Sequence, residues 1–360
     1  MKNIGFITVG LGFGGAEKML CFVANELSKR GNNVFIFNLN TVPDYVSDKF
    51  QYLEERIHIF EVSNGGILSK INSITRLAKE NKIDILIGFT SKPNLLARVV
   101  AMRLRIPSII SERGDPTKTS VRSFKSRLMK FVINTSRGGV FQTEGAMKYY
   151  GRGLRRRGVV IPNPIFVKEN IPRVNYENRC NSVVSFGRLD NYQKRYDVMI
   201  DAFERFFLVH PNYVLKIYGK GNDEEKIKSW VEKSKAKDSI LFMGLSTNPM
   251  NDIANDGMFL ITSDFEGISN SLLEAMAVGL PCVSTDHTPG GARLLITDHE
   301  NGLLAPIGDA KKLAEAMCEF AENPEFAKKC GVNATQVVER FAPEKIVDMW
   351  DGYINKIVKK

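Results

Sequence analysis

Ser263-Asp264-Phe265-Glu266-Gly267-Ile268-Ser269-Asn270-Ser271-Leu272-Leu273-Glu274-Ala275-Met276-Ala277-Val278-Gly279-Leu280-Pro281 is the stretch around which the chain is organised. The apolar run Met258 to Thr262 precedes it, is bounded by Gly257 and reads as a short buried strand. Ser269, Asn270 and Ser271 each offer an N-cap side chain. Leu272 to Val278 favours helix, and Gly279 and Pro281 stop it. A strand, a loop and a helix start leave unpaired backbone N–H groups and the positive dipole end at the strand's carboxyl edge. That is a seat for a phosphate.

Glu266 lies in the loop and Glu274 inside the helix, eight positions on. Two carboxylates beside an anion seat would repel the anion. They make more sense as acceptors for hydroxyl donors on either side of it, as in a nucleotide sugar with ribose at one end and hexose at the other. The alternative is local: Ser271-x-x-Glu274 also fits a capping box, in which Glu274 only ties back to the backbone N–H of Ser271.

The pattern Glu-Gly-x-x-Asn-Ser-Leu-Leu-Glu-Ala-Met-Ala-x-Gly-Leu-Pro resembles the donor-binding signature of glycosyltransferase family 4, the retaining GT-B enzymes. Glu266 and Glu274 fall on that family's paired glutamates. The resemblance implies an α/β chain with a GT-B fold: two Rossmann-like doubly wound domains facing a central cleft. It implies that Glu266 binds sugar hydroxyls, Glu274 binds ribose hydroxyls, and Gly267, Ile268, Ser269, Asn270 and Ser271 line the donor.

Three further matches extend the resemblance. Gly187-Arg188-Leu189, with Lys194 six residues after Arg188, is similar to the family's phosphate-contacting pair; Arg195 is the alternative to Lys194. Arginine is a forked donor and lysine a point charge, so the pair suits a diphosphate. Tyr218-Gly219-Lys220-Gly221 resembles the turn near the nucleotide base, with Ser246 expected nearby. Gly14-Gly15-Ala16-Glu17 resembles the Gly-Gly-x-Glu turn, where Gly15 would let backbone approach the pyrophosphate. Catalytic roles are assigned to Glu266, Arg188 and Lys194, with no cofactor and no metal. Thr288-Pro289-Gly290-Gly291 and Asn301-Gly302-Leu303-Leu304 also match and read as structural.

Strand and helix patterns alternate twice, which implies parallel doubly wound sheets. Residues 1–165 form an acceptor-side domain and 166–342 a donor-binding domain. Residues 343–360 form a last helix, which in the family crosses back to the first domain. Gly10-x-Gly12-x-x-Gly15 after the first strand matches a dinucleotide fingerprint. The second strand ends Phe37-Asn38-Leu39-Asn40, with no carboxylate before Asp44, so a nicotinamide or flavin enzyme is disfavoured.

On the acceptor side, Ser111-Glu112-Arg113-Gly114-Asp115-Pro116 closes a strand at the edge where open α/β sheets bind ligands. Arg113 could meet an acceptor phosphate, and Glu112 or Asp115 an acceptor hydroxyl. A polar turn with internal ion pairs is the alternative. Relatives often carry a histidine near the sugar in this domain; His58, early in a strand, is the only one before His210.

Five dispersed cysteines without a C-x-x-C pair suggest reduced thiols and neither disulfides nor a zinc site. No apolar run is long enough to span a bilayer, and Glu17 and Lys18 interrupt any secretory signal. Residues 1–160 hold 26 Lys+Arg and 12 Asp+Glu, a net of +14; residues 161–360 hold 24 and 28, a net of −4. The basic half is expected to face an anionic partner. The expected membrane-facing residues are Arg122, Lys125, Lys130, Arg155, Arg156 and Arg157, on or near a helix with Phe124, Leu128 and Val132 at helical spacing. An ordinary core-facing helix is the other reading of those apolar positions.

The expected reaction moves a hexose-type sugar from a nucleotide-diphosphate donor, UDP-linked, to a hydroxyl of a lipid-linked saccharide or lipid. The expected setting is cytoplasmic, peripheral on the inner face of the cell membrane, in capsule, exopolysaccharide or glycolipid synthesis. A nucleotide-sugar epimerase on the same fold is one competing reading. A basic nucleic-acid-binding protein is the other, but the sequence carries no nucleic-acid module.

Overall fold

The computed structural model describes residues 1–11, 15–40, 53–62, 65–119, 123–167 and 171–359. Arg122, Asp44, Gly12 and Gly14 lie outside them. The chain divides into two compact units, one of residues 1–163 and 344–360 and one of residues 164–343.

The first unit is built on a seven-stranded sheet, every pairing parallel: β1 (Asn3–Thr8), β2 (Asn33–Asn38), β3 (His58–Glu61), β4 (Ile85–Phe89), β5 (Ser108–Glu112), β6 (Gly138–Phe141) and β7 (Gly158–Val160), in the order 3-2-1-4-5-6-7. Strands β1, β2, β4, β5 and β6 are buried almost throughout, as expected of a parallel sheet covered on both faces.

The last helix, Pro343–Val358, belongs to this unit. Its buried stripe is Ile346, Val347, Trp350, Tyr353, Ile354 and Ile357. The stripe joins Ile4, Phe6 and Phe89 in one core, where Trp350 stacks on Phe89 with ring centroids 5.8 Å apart. Arg30 donates to Asp348 at 2.6 Å, and the Gly139 N–H donates to the Tyr353 hydroxyl at 2.9 Å.

The second unit carries a six-stranded sheet of the same kind: β8 (Ser182–Phe186), β9 (Val214–Tyr218), β10 (Ile240–Gly244), β11 (Met258–Ile261), β12 (Cys282–Thr285) and β13 (Leu303–Ala305), in the order 10-9-8-11-12-13. Strands β12 and β13 are not evident from sequence, because runs of four and three residues give too short a pattern. The order reverses between β8 and β11, the position where open α/β sheets hold ligands outside the strands' carboxyl ends.

The helix near the basic cluster differs from the core-facing reading. It runs Phe124–Asn134, and Ile133 is its buried residue. Phe124, Leu128 and Phe131 are 83%, 54% and 68% exposed, so its apolar stripe points to solvent.

Removing the Trp350 side chain leaves a cavity in a core that joins two distant parts of the chain. Trp350→Ala is expected to lower unfolding free energy by about 3–5 kcal/mol. Urea melts would check it, and a loss below about 1 kcal/mol would show that the last helix contributes little to the first unit.

Candidate functional site

Two loops meet at the reversal point of the second sheet. One leaves β8 as Gly187-Arg188-Leu189-Asp190 and continues through a short helix, Asn191–Lys194. The other leaves β11 and runs to the helix Asn270–Val278. Hydrogen bonds stitch them together. The Asp264 N–H donates to the Gln193 carbonyl at 3.0 Å, Gln193 Nε2 to the Phe265 carbonyl at 3.1 Å, and Thr262 Oγ1 to the Lys194 carbonyl at 2.8 Å.

This stitching brings Lys194 Nζ onto Glu266 Oε1 as a nearly buried ion pair, with side chains 16% and 11% exposed. Ser263 Oγ donates to the same carboxylate oxygen at 3.0 Å. Burial pushes the Glu266 carboxyl up, but Lys194, His287 and the two hydrogen bonds outweigh it and hold it below the ordinary value of 4.5. Glu266 is therefore ionised, and Lys194 balances its charge.

The structure separates Lys194 from its alternative. Arg195 sits in the left-handed region at φ 53° and pairs elsewhere. Its guanidinium is shared between Asp197 and Asp264, each at 3.0 Å. Arg188 is exposed and donates to Asp190 at 2.9 Å, so it is not part of the Lys194–Glu266 contact.

Ser269 is the N-cap of the helix Asn270–Val278; its Oγ accepts the Leu272 N–H at 3.4 Å and lies 3.0 Å from Ser271 Oγ. The capping-box alternative required Ser271 in that place. With the cap at Ser269, Glu274 stands one turn further in, half-buried, and is not the reciprocal partner of the cap. Ile268 and Ser269 are buried, whereas Asn270 and Ser271 are partly exposed.

Two glycines set the walls of the site. Gly219 has φ +146°, and a Cβ there would meet the Gly187 carbonyl oxygen at 1.8 Å. This close approach holds the β9 turn against the Arg188 loop. A Cβ on Gly291 would meet the Gly267 carbonyl oxygen at 1.7 Å and the His287 ring at 3.0 Å. The Thr288-Pro289-Gly290-Gly291 turn thus carries the Glu266 loop, and the Glu266 N–H donates to the Thr288 carbonyl at 2.8 Å. Ser246 is turned toward its own loop, donating to Asp252 at 2.5 Å.

His287 is a site residue that the sequence pattern does not flag. It is 1% exposed, and neither ring nitrogen has a hydrogen-bond partner. Burial lowers its pKa, opposed by Glu266, so it is neutral beside the ion pair. A lone histidine has no spacing to mark it; its place just after the apolar run Cys282 to Thr285 was the available signal.

In the first unit, Glu112 and Arg113 are held by neutral partners. Tyr150 donates to Glu112 at 2.7 Å, and Arg113 donates to Asn163 Oδ1 at 2.5 Å. Burial raises the Glu112 carboxyl, and burial lowers Arg113 to about 9. Arg113 Nε is buried without a hydrogen-bond partner. Asp115 accepts from the Thr117 N–H at 2.8 Å. Gly15 opens the helix Gly15–Lys29.

Of the expected membrane-facing residues, Lys125, Arg156 and Arg157 are exposed, and Lys130 and Arg155 are partly so. Lys130 lies over the Tyr149 ring at 3.4 Å, and burial lowers its pKa. Arg157 donates to the Asn134 and Ser136 carbonyls at 3.1 Å, closing the end of the helix Phe124–Asn134.

Two family models meet in this chain: Glycosyltransferase Family 4 over residues 13–169 and Glycosyl transferases group 1 over residues 167–337. The chain belongs to the family 4 type of GT-B glycosyltransferases. A Haemophilus influenzae uncharacterized glycosyltransferase is 24% identical over 98% of this chain and 100% of its own length. The Campylobacter jejuni N-acetylgalactosamine-N,N'-diacetylbacillosaminyl-diphospho-undecaprenol 4-alpha-N-acetylgalactosaminyltransferase is 26% identical over 96% of this chain and 97% of its own. Among solved structures, Anabaena HepE in complex with UDP superposes with a TM-score of 0.84 at 18% identity, covering 99% of this glycosyltransferase and 100% of HepE. The lipopolysaccharide outer core galactosyltransferase WaaB gives 0.81 at 21% identity, with 99% of each chain covered.

Breaking the Lys194–Glu266 pair strands a buried carboxylate. Lys194→Met is expected to cost about 3–5 kcal/mol at neutral pH. In the wild type the lowered Glu266 pKa contributes stability above the ordinary carboxylate value, and this is lost as pH falls through the folded value. In the variant the carboxyl takes up a proton more readily, so the gap between the two proteins should narrow on acidification toward 4.5. Urea melts across that range check it; a gap independent of pH would show that Glu266 is not the group responsible.

Proposed function

We propose that this enzyme is a retaining glycosyltransferase that moves a hexose-type sugar from a UDP-sugar to a hydroxyl of a lipid-linked saccharide. The observation that carries the donor half is the helix start at Asn270–Ser271 in the same loop as a nearly buried Glu266 whose charge Lys194 already balances, which we read as an anion seat with Glu274 at its side. A diphosphate can approach such a site without facing two bare carboxylates. Structural neighbours include HepE with UDP and with UDP-glucose, and the Campylobacter relative is named for an undecaprenol-linked acceptor.

In this reading the helix start, Lys194 and Arg188 stabilise the diphosphate as it gains charge on leaving. Such preorganised charge stabilisation usually lowers the barrier more than any other single effect. Arg188 swings from Asp190, which its exposure permits. Glu266 orients the sugar and Glu274 the ribose. Both carboxylates are then occupied by hydroxyls, and neither serves as the nucleophile of a double displacement. The acceptor proton passes to the leaving phosphate on the same face. Arg113, a buried cation with an unused Nε, is the group we assign to an acceptor phosphate.

The donor assignment is tested by titrating UDP-sugars and following thermal stability. A bound donor at about 100 times its Kd adds roughly 2.7 kcal/mol. Glu274→Ala should weaken donor binding at least about tenfold, or about 1.4 kcal/mol, with little change in the melt of the free protein. Unchanged binding would remove Glu274 from the donor site.

Transfer is expected to need no divalent metal, because Lys194 and Arg188 supply the positive charge a metal would bring. Full activity in EDTA is the expected result. Activity lost in EDTA and restored by magnesium or manganese would contradict it.

We also assign the exposed stripe Phe124, Leu128 and Phe131, beside Lys125 and Arg127, to an anionic membrane surface. Among the described residues no helix is long and apolar enough to cross a membrane. Apolar side chains insert at the headgroup boundary while each nearby cation adds roughly 1 kcal/mol. Phe124→Ser with Phe131→Ser should abolish co-sedimentation with anionic liposomes at low salt. Retained binding, or equal binding to neutral vesicles, would sink this assignment.

A further inference from the structure

His210, Cys318 and Glu322 lie outside the donor loops, and no role above uses them. His210 follows the helix Tyr196–Phe207. Cys318 and Glu322 are one turn apart on the helix Ala310–Glu322, so both side chains fall on one face. One ligand atom from each, the imidazole nitrogen, the thiol sulfur and a carboxylate oxygen, lies within 4.8 Å of the other two. His210 Nε2 stands 3.3 Å from Glu322 Oε1, yet it is buried and has no hydrogen-bond partner. Phe206 and Tyr213 flank the ring at centroid distances of 5.0 and 6.1 Å and fix its plane.

Cysteine spacing alone argued against a zinc site, but the fold brings one cysteine to a histidine and a glutamate, and we propose that these three side chains form a zinc site. Tetrahedral zinc with nitrogen, oxygen and sulfur ligands at roughly 2.0–2.3 Å separates its ligand atoms by roughly 3.3–3.7 Å. The observed spacing needs only small side-chain movements to reach this. The donor set of imidazole, thiolate and carboxylate is of intermediate softness, which suits zinc better than magnesium or calcium. Three protein ligands leave a fourth position for water from the adjoining groove, about 430 Å³, lined in part by Cys318, Glu322 and Glu319.

Neighbouring charges do not oppose the ion. Arg205, on the groove wall, is paired with Asp201 at 2.9 Å, and Lys311 reaches Glu315. A zinc–sulfur bond forms as the Cys318 thiol gives up its proton to solvent. The ion would clip the end of the helix Tyr196–Phe207 to the helix Ala310–Glu322. Lys194 precedes the other end of the first of these helices, roughly 18 Å away at 1.5 Å per residue. The site is separate from transfer.

The test is a zinc titration of the full-length protein against a chromophoric chelator, with cobalt as a spectroscopic stand-in. Wild type and Cys180→Ser, which removes an exposed thiol, should bind one equivalent, release one proton per ion and give a cobalt–thiolate charge-transfer band. Cys318→Ser should lose the band and at least tenfold in zinc affinity while keeping its donor-induced thermal shift, and His210→Asn should weaken zinc in the same way. Equal affinity in wild type and Cys318→Ser, or binding that Cys180→Ser removes, would overturn the site. Because donor binding is read separately, failure of the zinc site leaves the proposed function standing.

Discussion

The nearly buried ion pair of Lys194 with Glu266 organises the loops at the carboxyl end of the second sheet. An ionised carboxylate that is nearly buried is stable only with a partner, so the loop after β8 must meet the loop after β11. Everything local serves that meeting. Thr262, Gln193 and Asp264 tie the loop backbones together, Gly219 permits the close approach to Gly187, and Gly291 lets the Thr288 turn carry Glu266. The pair also changes the electrostatics of the seat beside it. A helix start favours an anion only if its surroundings do not repel one, and Lys194 removes one of the two repelling charges.

The first unit is completed from a distance. Its core includes Trp350, Tyr353 and Ile357 from the last helix, although some 180 residues of the other unit intervene in sequence. At the carboxyl end of its sheet the polar groups are of another kind. Glu112 and Arg113 hydrogen-bond to neutral side chains, Tyr150 and Asn163, and burial is the largest influence on both, raising the carboxyl and lowering the guanidinium while each charge partly offsets this for the other.

Much of this was legible from residue pattern. The apolar run at 258–262, the polar cap and the stop at Gly279 gave the strand, loop and helix of the candidate site, and alternation gave two parallel sheets. Details set by three-dimensional placement were not legible. Three adjacent polar residues could each cap the helix, and only packing selected Ser269. Lys194 and Arg195 are neighbours in sequence, and only the fold shows that Lys194 pairs with Glu266 while Arg195 pairs with Asp197 and Asp264. The stripe at Phe124 and Leu128 has helical spacing whether it faces core or solvent. His287 became visible only once its buried, unpartnered ring was placed beside Glu266. His210 and Cys318 are more than a hundred positions apart, which no spacing rule connects.

The most direct measurement is a crystal structure of the enzyme with a uridine diphosphate sugar. The account predicts the diphosphate on the backbone N–H groups at the start of the helix Asn270–Val278, with Lys194 and Arg188 on its oxygens and Glu274 on ribose hydroxyls. A diphosphate seated instead at the turn after β1, with Glu274 touching no part of the ligand, would contradict it.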